Sequence, residues 1–327
     1  MEFKNSMSLL FSHPQYILKI FVYLVICVCI VAGISCAVVI PVYKHAMTYA
    51  DVDAVFAPVW NTISRYMEGN AGLRAVFNQF MTFIVKYFEM VYTHPFGVLA
   101  SVLIPIGIYF LYSFLTGLVH YPVAYIVNNI MSSDMKMPLA SSIIMNIKVS
   151  AKFSAAKMVL LFPLDLGAVV VLGVFGIFLN KVIGLFIFPI MIILFVVYTS
   201  CRSLLVSAWL PRMLYHPEER VFVAFKKSFP MLKRNRRSVM QAFLLLAAIS
   251  FCIATALALP TYGLIYLALP SVYYFVLRAI ELVGYYKVKG YKFYTDASTV
   301  IDTTEYGYRP ETQTEESESE SEGEINE

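Results

Sequence analysis

Charged residues are scarce in this sequence. They make up 14% of the 327 residues, whereas hydrophobic residues make up 59%. Soluble domains usually devote about 25% of their residues to charge, so a chain this poor in charge does not have the composition of a water-exposed surface. The low charge also argues against a nucleic-acid-binding protein, and the mean hydropathy of +0.71 indicates a membrane protein.

Motifs of catalysis and nucleotide binding are absent from the chain. It contains no GxxxxGK[ST], HExxH, GxSxG or GxGxxG segment. The five cysteines all fall inside apolar runs and the five histidines are scattered, so neither set has the spacing of metal ligands. We therefore expect a protein that is not an enzyme and that holds neither a cofactor nor a metal ion.

Six apolar runs are long enough to cross a bilayer as helices, which takes about 20 residues each. They cover residues 20–43, 96–119, 158–179, 182–210, 239–259 and 261–283. Pro260 divides the last two runs, because a proline removes a backbone donor and favours a turn over one continuous helix. The sequence thus predicts an all-α, polytopic integral membrane bundle of six transmembrane helices, arranged in three hairpins.

Lysine and arginine residues concentrate on one side of these spans. The loop before span five carries eight of them between residues 212 and 237, whereas Lys181 is alone in the turn between spans three and four. By the positive-inside rule, the basic side is the cytoplasm. We expect a multi-pass protein of a bacterial plasma membrane with both termini in the cytoplasm. Tyr285 and Tyr286, next to span six, fit the tyrosine belt of a membrane interface.

The chain divides into three parts on this interpretation. Residues 1–19 are a cytoplasmic segment, residues 20–290 form the membrane domain, and residues 291–327 form a cytoplasmic tail. Glu311 to Glu327 include eight glutamates and no basic residue, a composition that predicts disorder from about residue 311. The tail is either a simple solvated segment or a segment that contacts the basic residues of the loop before span five and competes with acidic lipid.

Two cytoplasmic stretches, 128–157 and 211–238, have the pattern of elbow helices that lie along the membrane and then enter it. In the second stretch, apolar residues recur at helical spacing and form a stripe. The members of this stripe are Val221, Phe222, Phe225 and Phe229. The basic residues of the same stretch are Lys226, Lys227, Lys233, Arg234, Arg236 and Arg237. Clustered basic residues beside a span attract anionic lipid headgroups; the alternative is that the cluster only fixes the topology.

The loop of residues 44–95 is the one sizeable segment on the opposite side. Its apolar residues follow helical spacing on either side of a turn at residues 69–72. We expect an extracytoplasmic helical hairpin there. It could be a lid, a surface for a protein partner, or a simple packing element.

Four charged residues lie within the predicted spans, where charge is costly. Asp165 in span three and Arg202 in span four lie at comparable depth, so we expect them to pair. Arg278 and Glu281 are three residues apart in span six and share a helix face. These charges either lock helices together or form a polar path of the kind found in transporters and lipid translocases.

Residues 3–10 and 225–232 share Phe, Lys, Ser and Leu at the same spacing, a weak sign of duplication. The stretch Ala224-Phe225-Lys226-Lys227-Ser228-Phe229, followed by basic residues and span five, resembles loops of certain six-span bacterial membrane families. These include the membrane domain fused to some glycerophosphodiester phosphodiesterases. This chain contains no phosphodiesterase domain, so the resemblance implies a six-helix bundle and no activity. We expect a scaffold or lipid-interacting component, with a transporter or lipid translocase as the alternative.

Overall fold

The computed structural model describes residues 2–46, 52–93, 95–133, 135, 137–183, 187–295 and 299–303. The helices are α1 (Glu2–Ser12), α2 (Gln15–Ala46), α3 (Val52–Met67), α4 (Leu73–Thr93), α5 (Pro95–Gly117), α6 (His120–Ser133), α7 (Leu139–Ile183), α8 (Ile187–Val206), α9 (Trp209–Tyr215), α10 (Val221–Ala258) and α11 (Ile265–Lys289). Two short strands, β1 (Phe293–Tyr294) and β2 (Val300–Ile301), pair antiparallel after α11. The described chain is all-α apart from this pair of strands, as the sequence predicts.

Six of the helical segments are long and apolar enough to cross a membrane. They are Gln15–Pro41, Leu103–Ser133, Leu139–Gly176, Pro189–Tyr215, Asn235–Ala258 and Ile265–Lys289. The predicted break at Pro260 is confirmed, because a turn separates α10 from α11. That turn places Gly263 at φ +83°, a left-handed conformation that glycine adopts without steric cost. The protein is therefore a six-span, multi-pass membrane protein.

The chain forms two compact units. One contains Met1–Val25, Phe114–Leu166 and the chain from Ile192 onward, and the other contains Ile26–Ser113 and Gly167–Met191. In the second unit, α3 and α4 form the expected helical hairpin, joined by a turn with Gly69 at φ +75°. The rings of Phe56 and Phe83 lie 5.1 Å apart between the two helices. Trp60 is 71% exposed on α3, so this hairpin keeps an apolar face outside its own packing.

The first unit has its core around α11, which packs against α1, α6, α9 and α10. Trp209 is fully buried there, and its Nε1 donates a hydrogen bond of 2.8 Å to the Val221 carbonyl. Its ring lies 5.0 Å from that of Phe153 and 4.7 Å from that of Phe225. These contacts attach the start of α10 to the core by aromatic packing, which contributes beyond simple burial.

Tyr285 and Tyr286 do not form the interfacial belt that the sequence predicts. Both side chains are buried, and Tyr285 stacks on Tyr215 with ring centroids 5.1 Å apart. The hydroxyls of Tyr215 and Tyr286 both donate to Oδ1 of Asn128 at 3.1 Å. The prediction was wrong because position near the end of a span does not reveal which face of the helix meets its neighbours.

The two predicted elbows differ from each other. The stretch 128–157 is not a separate elbow, since α6 ends at Ser133 and α7 then continues without interruption into span three. In the stretch 211–238, the long helix begins at Val221. This helix bends at Asn235, whose φ of −120° and ψ of 21° are not helical. Residues 221–234 of α10 therefore form an elbow that leads into span five, and we call residues 221–237, which include the bend, the basic elbow.

The bend in α10 matches the break between α1 and α2. The shared pattern of residues 3–10 and 225–232 sets an offset of 222 positions, which pairs His13 at the α1–α2 break with Asn235. Ser6 and Ser228, which correspond at this offset, are both buried, and each hydroxyl donates to a carbonyl within its own helix. The two helix entries therefore share a local structure as well as a sequence pattern, which supports duplication.

Candidate functional site: a basic elbow and an intramembrane charge cluster

The outward face of the basic elbow combines aromatic and basic side chains. Phe222, Lys226, Phe229 and Lys233 follow one another at intervals of four, three and four residues, which places them on one side of a helix. All four are exposed, Phe222 to the extent of 58%. The expected stripe divides, since Val221 and Phe225 pack against the core while Phe222 and Phe229 do not. The exposed half of the stripe thus lies among the basic residues.

Glu219 neutralises one basic residue of the elbow. Its carboxylate accepts hydrogen bonds of 2.9 Å from both Nε and Nη2 of Arg212, and one of 2.8 Å from Nζ of Lys227. The hydrogen bond from Arg212, followed by that from Lys227, lowers the pKa of Glu219 to about 2. Glu219 is therefore ionised across the physiological range, and Lys227 already has a partner within the protein.

The remaining described basic residues at this elbow have no such partner. Lys226, Lys233, Arg236 and Arg237 are exposed and take part in no ion pair among the residues that the structure describes. The side chain of Arg234 and the acidic tail beyond Thr303 lie outside the described residues. The described cluster therefore presents four uncompensated positive charges.

Glu2 connects α1 to the bend of α10. Its carboxylate accepts hydrogen bonds from Ser238, from Nζ of Lys287 at 2.9 Å and from Nδ2 of Asn235 at 3.5 Å. Burial alone would raise the pKa of Glu2, but the hydrogen bonds from Ser238 and Lys287 outweigh it and lower the pKa to about 2. Glu2, which no pattern in the sequence marks as a site residue, thus holds three helices together at the bend where span five begins.

The structure brings both predicted intramembrane pairs together. Arg202 donates from Nε to Oδ1 of Asp165 at 2.6 Å and from Nη2 to Oδ2 at 2.8 Å, and Tyr198 also donates to Oδ1. Within α11, Nη1 of Arg278 donates to Oε2 of Glu281 at 2.6 Å. Both partners of the second pair are only 1% exposed. Because the guanidinium of Arg202 contacts the carboxylate of Asp165 at two points, the geometry of the first pair is more strictly fixed than that of the second.

A small cavity lies next to the second pair. It measures about 20 Å³ and is lined partly by Glu281, Asn235 and Ser207. A cavity needs roughly 10–15 Å³ and at least two polar partners to hold one water molecule. The cavity beside Glu281 therefore has room for a water molecule but not for a metabolite or a lipid headgroup.

Two residues near these pairs were not singled out by sequence reasoning. Lys157 in α7 interacts electrostatically with both intramembrane pairs, and His120 in α6 interacts with Lys157, Arg202 and Arg278. The sequence indicates only that Lys157 lies beside span three, and nothing in the sequence around His120 indicates its depth in the core. Within the described residues, no group of three or more His, Cys, Asp or Glu side chains is placed to hold a metal ion.

The fold and these sites define a polytopic helical membrane protein with a basic elbow and paired charges among its spans. No protein-family model, curated protein or solved structure matches this chain. Its function therefore has to be argued from its own residues.

Proposed function

We propose that this protein is a non-enzymatic component of the cell membrane that binds anionic lipid headgroups through its basic elbow and acts there as a scaffold. The observation that carries the proposal is the exposed face on which Phe222 and Phe229 alternate with Lys226 and Lys233. Aromatic rings on an interfacial helix enter the boundary between headgroups and acyl chains, while lysine side chains extend toward phosphate. With the elbow on the cytoplasmic side, the phosphates it meets are those of the inner leaflet.

The number of uncompensated charges sets the expected strength. Each basic residue near an anionic surface contributes on the order of 1 kcal/mol, so the four unpaired residues together favour anionic over neutral lipid by up to roughly a thousandfold. Lys227 contributes less, because Glu219 already occupies its ammonium group. A cluster that served topology alone would need neither exposed aromatic rings between its lysines nor four charges without partners.

The test compares two variants with the same change in charge. In the elbow variant, Lys226, Lys233, Arg236 and Arg237 become glutamine. In the control variant, the substituted residues are the exposed lysines of other segments, Lys4, Lys19, Lys148 and Lys152. Each purified protein, in a neutral detergent, is titrated with short-chain phosphatidylglycerol or phosphatidylcholine, and bound lipid is counted by native mass spectrometry.

We expect the elbow variant to lose most of its preference for phosphatidylglycerol and the control variant to keep it. Equal losses in the two variants would mean that net charge, not the elbow, decides lipid preference, and would refute the proposal. A third variant with Phe222→Ser and Phe229→Ser should weaken the binding of both lipids, because the rings contribute apolar contact that does not depend on headgroup charge.

A transporter or lipid translocase is the second candidate, and the meeting of charged residues within the spans favours it. Charges inside membrane helices mark substrate and ion pathways in many such proteins. The water-sized cavity beside Glu281 supports the scaffold over this candidate. Movement of fluorescent lipid between leaflets of proteoliposomes, abolished by Arg278→Gln, would decide for the translocase.

A further inference from the structure

The α3–α4 hairpin exposes apolar side chains that its own packing leaves uncovered. Phe56, Trp60 and Ile63 follow one another at intervals of four and three residues, which places them on one face of α3. All three are exposed, and so is Phe80 of α4. Ring contacts from Phe56 to Phe83 at 5.1 Å and from Phe83 to Phe80 at 6.2 Å connect the two helices. We call Phe56, Trp60, Ile63 and Phe80 the hairpin stripe.

The other side of α3 carries polar residues. Asn61 and Arg65 are both exposed and four residues apart. Arg65 comes five residues after Trp60, so the helix turns it by about 140° away from that ring. An apolar face and a polar face on the same exposed helix are the pattern of a helix that lies at the boundary between lipid and water.

Contacts within the second compact unit place the hairpin at the ends of two spans. A Cβ atom added to Gly176 of α7 would lie 3.5 Å from Cε of Met191 in α8 and 4.0 Å from Cε of Met81 in α4. Gly176 is the last residue of its spanning segment, and Met191 lies two residues after Pro189, where the next one starts. Because Met81 is near the middle of α4, this helix lies beside the ends of these spans and does not project away from them.

The hairpin is also attached to spans at both of its ends. α4 ends at Thr93 and α5 begins at Pro95, while α2 reaches Ala46 before α3 begins at Val52. Exposed apolar side chains of α2 continue as far as Ile40, so the compact unit that holds the hairpin stripe also holds a surface that faces lipid. These connections leave the bilayer boundary as the surroundings of the stripe.

We propose that the α3–α4 hairpin is an interfacial anchor that inserts the hairpin stripe into the lipid of the adjacent leaflet. With the hairpin on the extracytoplasmic side, that leaflet is the outer one. Tryptophan suits this position, because its ring enters the apolar region while its N–H group reaches polar partners. The stripe contains no basic residue, so it binds zwitterionic and anionic lipid alike. In this respect it differs from the basic elbow.

Tryptophan fluorescence tests the proposal, because the chain contains two tryptophans and Trp209 is fully buried. The purified full chain is placed in nanodiscs of phosphatidylcholine that carries bromine near the headgroup or near the middle of the acyl chain. The difference between the wild type and Trp60→Phe gives the emission of Trp60 with Trp209 in place. We expect about a twofold loss of that emission with the shallow bromine, a smaller loss with the deep bromine and little effect of aqueous iodide.

A matched control moves the indole to the polar side of the same helix. Trp60→Phe combined with Arg65→Trp should be quenched by iodide and little affected by brominated lipid. Asn61→Trp takes the place of Arg65→Trp if the first control does not purify. Brominated phosphatidylglycerol should quench Trp60 as strongly as brominated phosphatidylcholine does. A requirement for the anionic lipid would assign the docking to headgroup charge and overturn the proposal.

Three other outcomes refute the proposal. Quenching of Trp60 by iodide and not by lipid would place the stripe in water, where a protein partner could bind it. Quenching by neither would mean that protein covers the stripe. Equal quenching by lipid at Trp60 and at the control position would mean that the stripe does not orient the hairpin. None of these outcomes depends on the lysines and arginines of the basic elbow, so this test and that of the proposed function can fail separately.

Discussion

Asp165 and Arg202 form a two-point ion pair between α7 and α8, with nitrogen–oxygen distances of 2.6 and 2.8 Å. The two residues are 37 positions apart in sequence. The two residues meet because α7 and α8 flank residues 184–186, and each residue lies a similar number of positions along the chain from that connection. The pair neutralises two charges that the apolar surroundings would otherwise disfavour.

Asp165→Asn should lower the stability of the protein in detergent by about 2 kcal/mol, because it leaves Arg202 without its counter-charge. Asp165→Asn combined with Arg202→Gln should recover about half of that loss, since no single charge then remains. Thermal unfolding of the wild type, the two single variants and the double variant completes the cycle. Strictly additive losses would show that the pair contributes no coupling.

Glu2→Gln should destabilise the attachment of α1 by about 3 kcal/mol at neutral pH. Hydrogen bonds from Ser238 and Lys287 lower the pKa of Glu2 from 4.5 to about 2 against the effect of burial. A carboxyl group whose pKa is lower in the folded than in the unfolded state stabilises the fold at pH values above its unfolded pKa. That contribution falls as the pH drops from about 4.5 toward 2. The difference in unfolding temperature between wild type and Glu2→Gln should therefore be full at pH 6 and smaller at pH 3. A difference that does not change with pH would mean that Glu2 acts through its shape alone.

Topology can be checked with single cysteines in a background from which the five native cysteines have been removed. A cysteine at Asn70, in the turn between α3 and α4, should react with an impermeant thiol reagent in intact cells. A cysteine at Arg236 should react only after the membrane is opened. Arg236 is the suitable position because it is exposed, whereas the neighbouring Asn235 is buried and would be protected on either side. Labelling at Arg236 and not at Asn70 would reverse the orientation.

Removal of residues 311–327 should strengthen binding of phosphatidylglycerol by the elbow. The described chain ends at Thr303, which lines a small cavity together with Glu2. The carboxylate of Glu2 in turn contacts Asn235 and Ser238, which lie on either side of Arg236 and Arg237 in the sequence. The eight glutamates of residues 311–327 therefore follow within a short stretch of a point near the unpaired cations. Native mass spectrometry should show a several-fold gain in affinity that is largest at low salt.

A matched tail variant makes this result specific. Replacing the eight glutamates with glutamine keeps the length and removes the charge, and should reproduce the gain. If deletion strengthens binding and the glutamine variant does not, the tail acts by bulk and not by charge. If neither changes affinity, the tail does not compete with lipid.

Much of the fold follows from the sequence because the bilayer restricts the solutions. A run of about 20 apolar residues has to be a helix in lipid, where every backbone group needs a partner within the segment. Six spans and the turn at Pro260 were predictable for this reason. The α3–α4 hairpin was predictable from helical spacing on either side of a turn. The pairing of Asp165 with Arg202 was predictable as well, since a short connection fixes the relative depth of two neighbouring helices.

Other features depend on contacts between residues far apart in the chain, and these only the tertiary structure decided. Sequence spacing placed Phe222 and Phe225 in one stripe, but packing against Trp209 buries Phe225 and leaves Phe222 outside. Glu2 meets Lys287 across 285 positions, and Lys157 interacts electrostatically with charged residues of two other helices, α8 and α11. Hydropathy and helical periodicity determine which segments enter the membrane, because entry depends on how each segment interacts with lipid and water and not on its contacts with other segments. Which face of each helix meets which neighbour depends on side-chain shape and charge across the whole bundle, so the folded structure alone decides which polar residues come together.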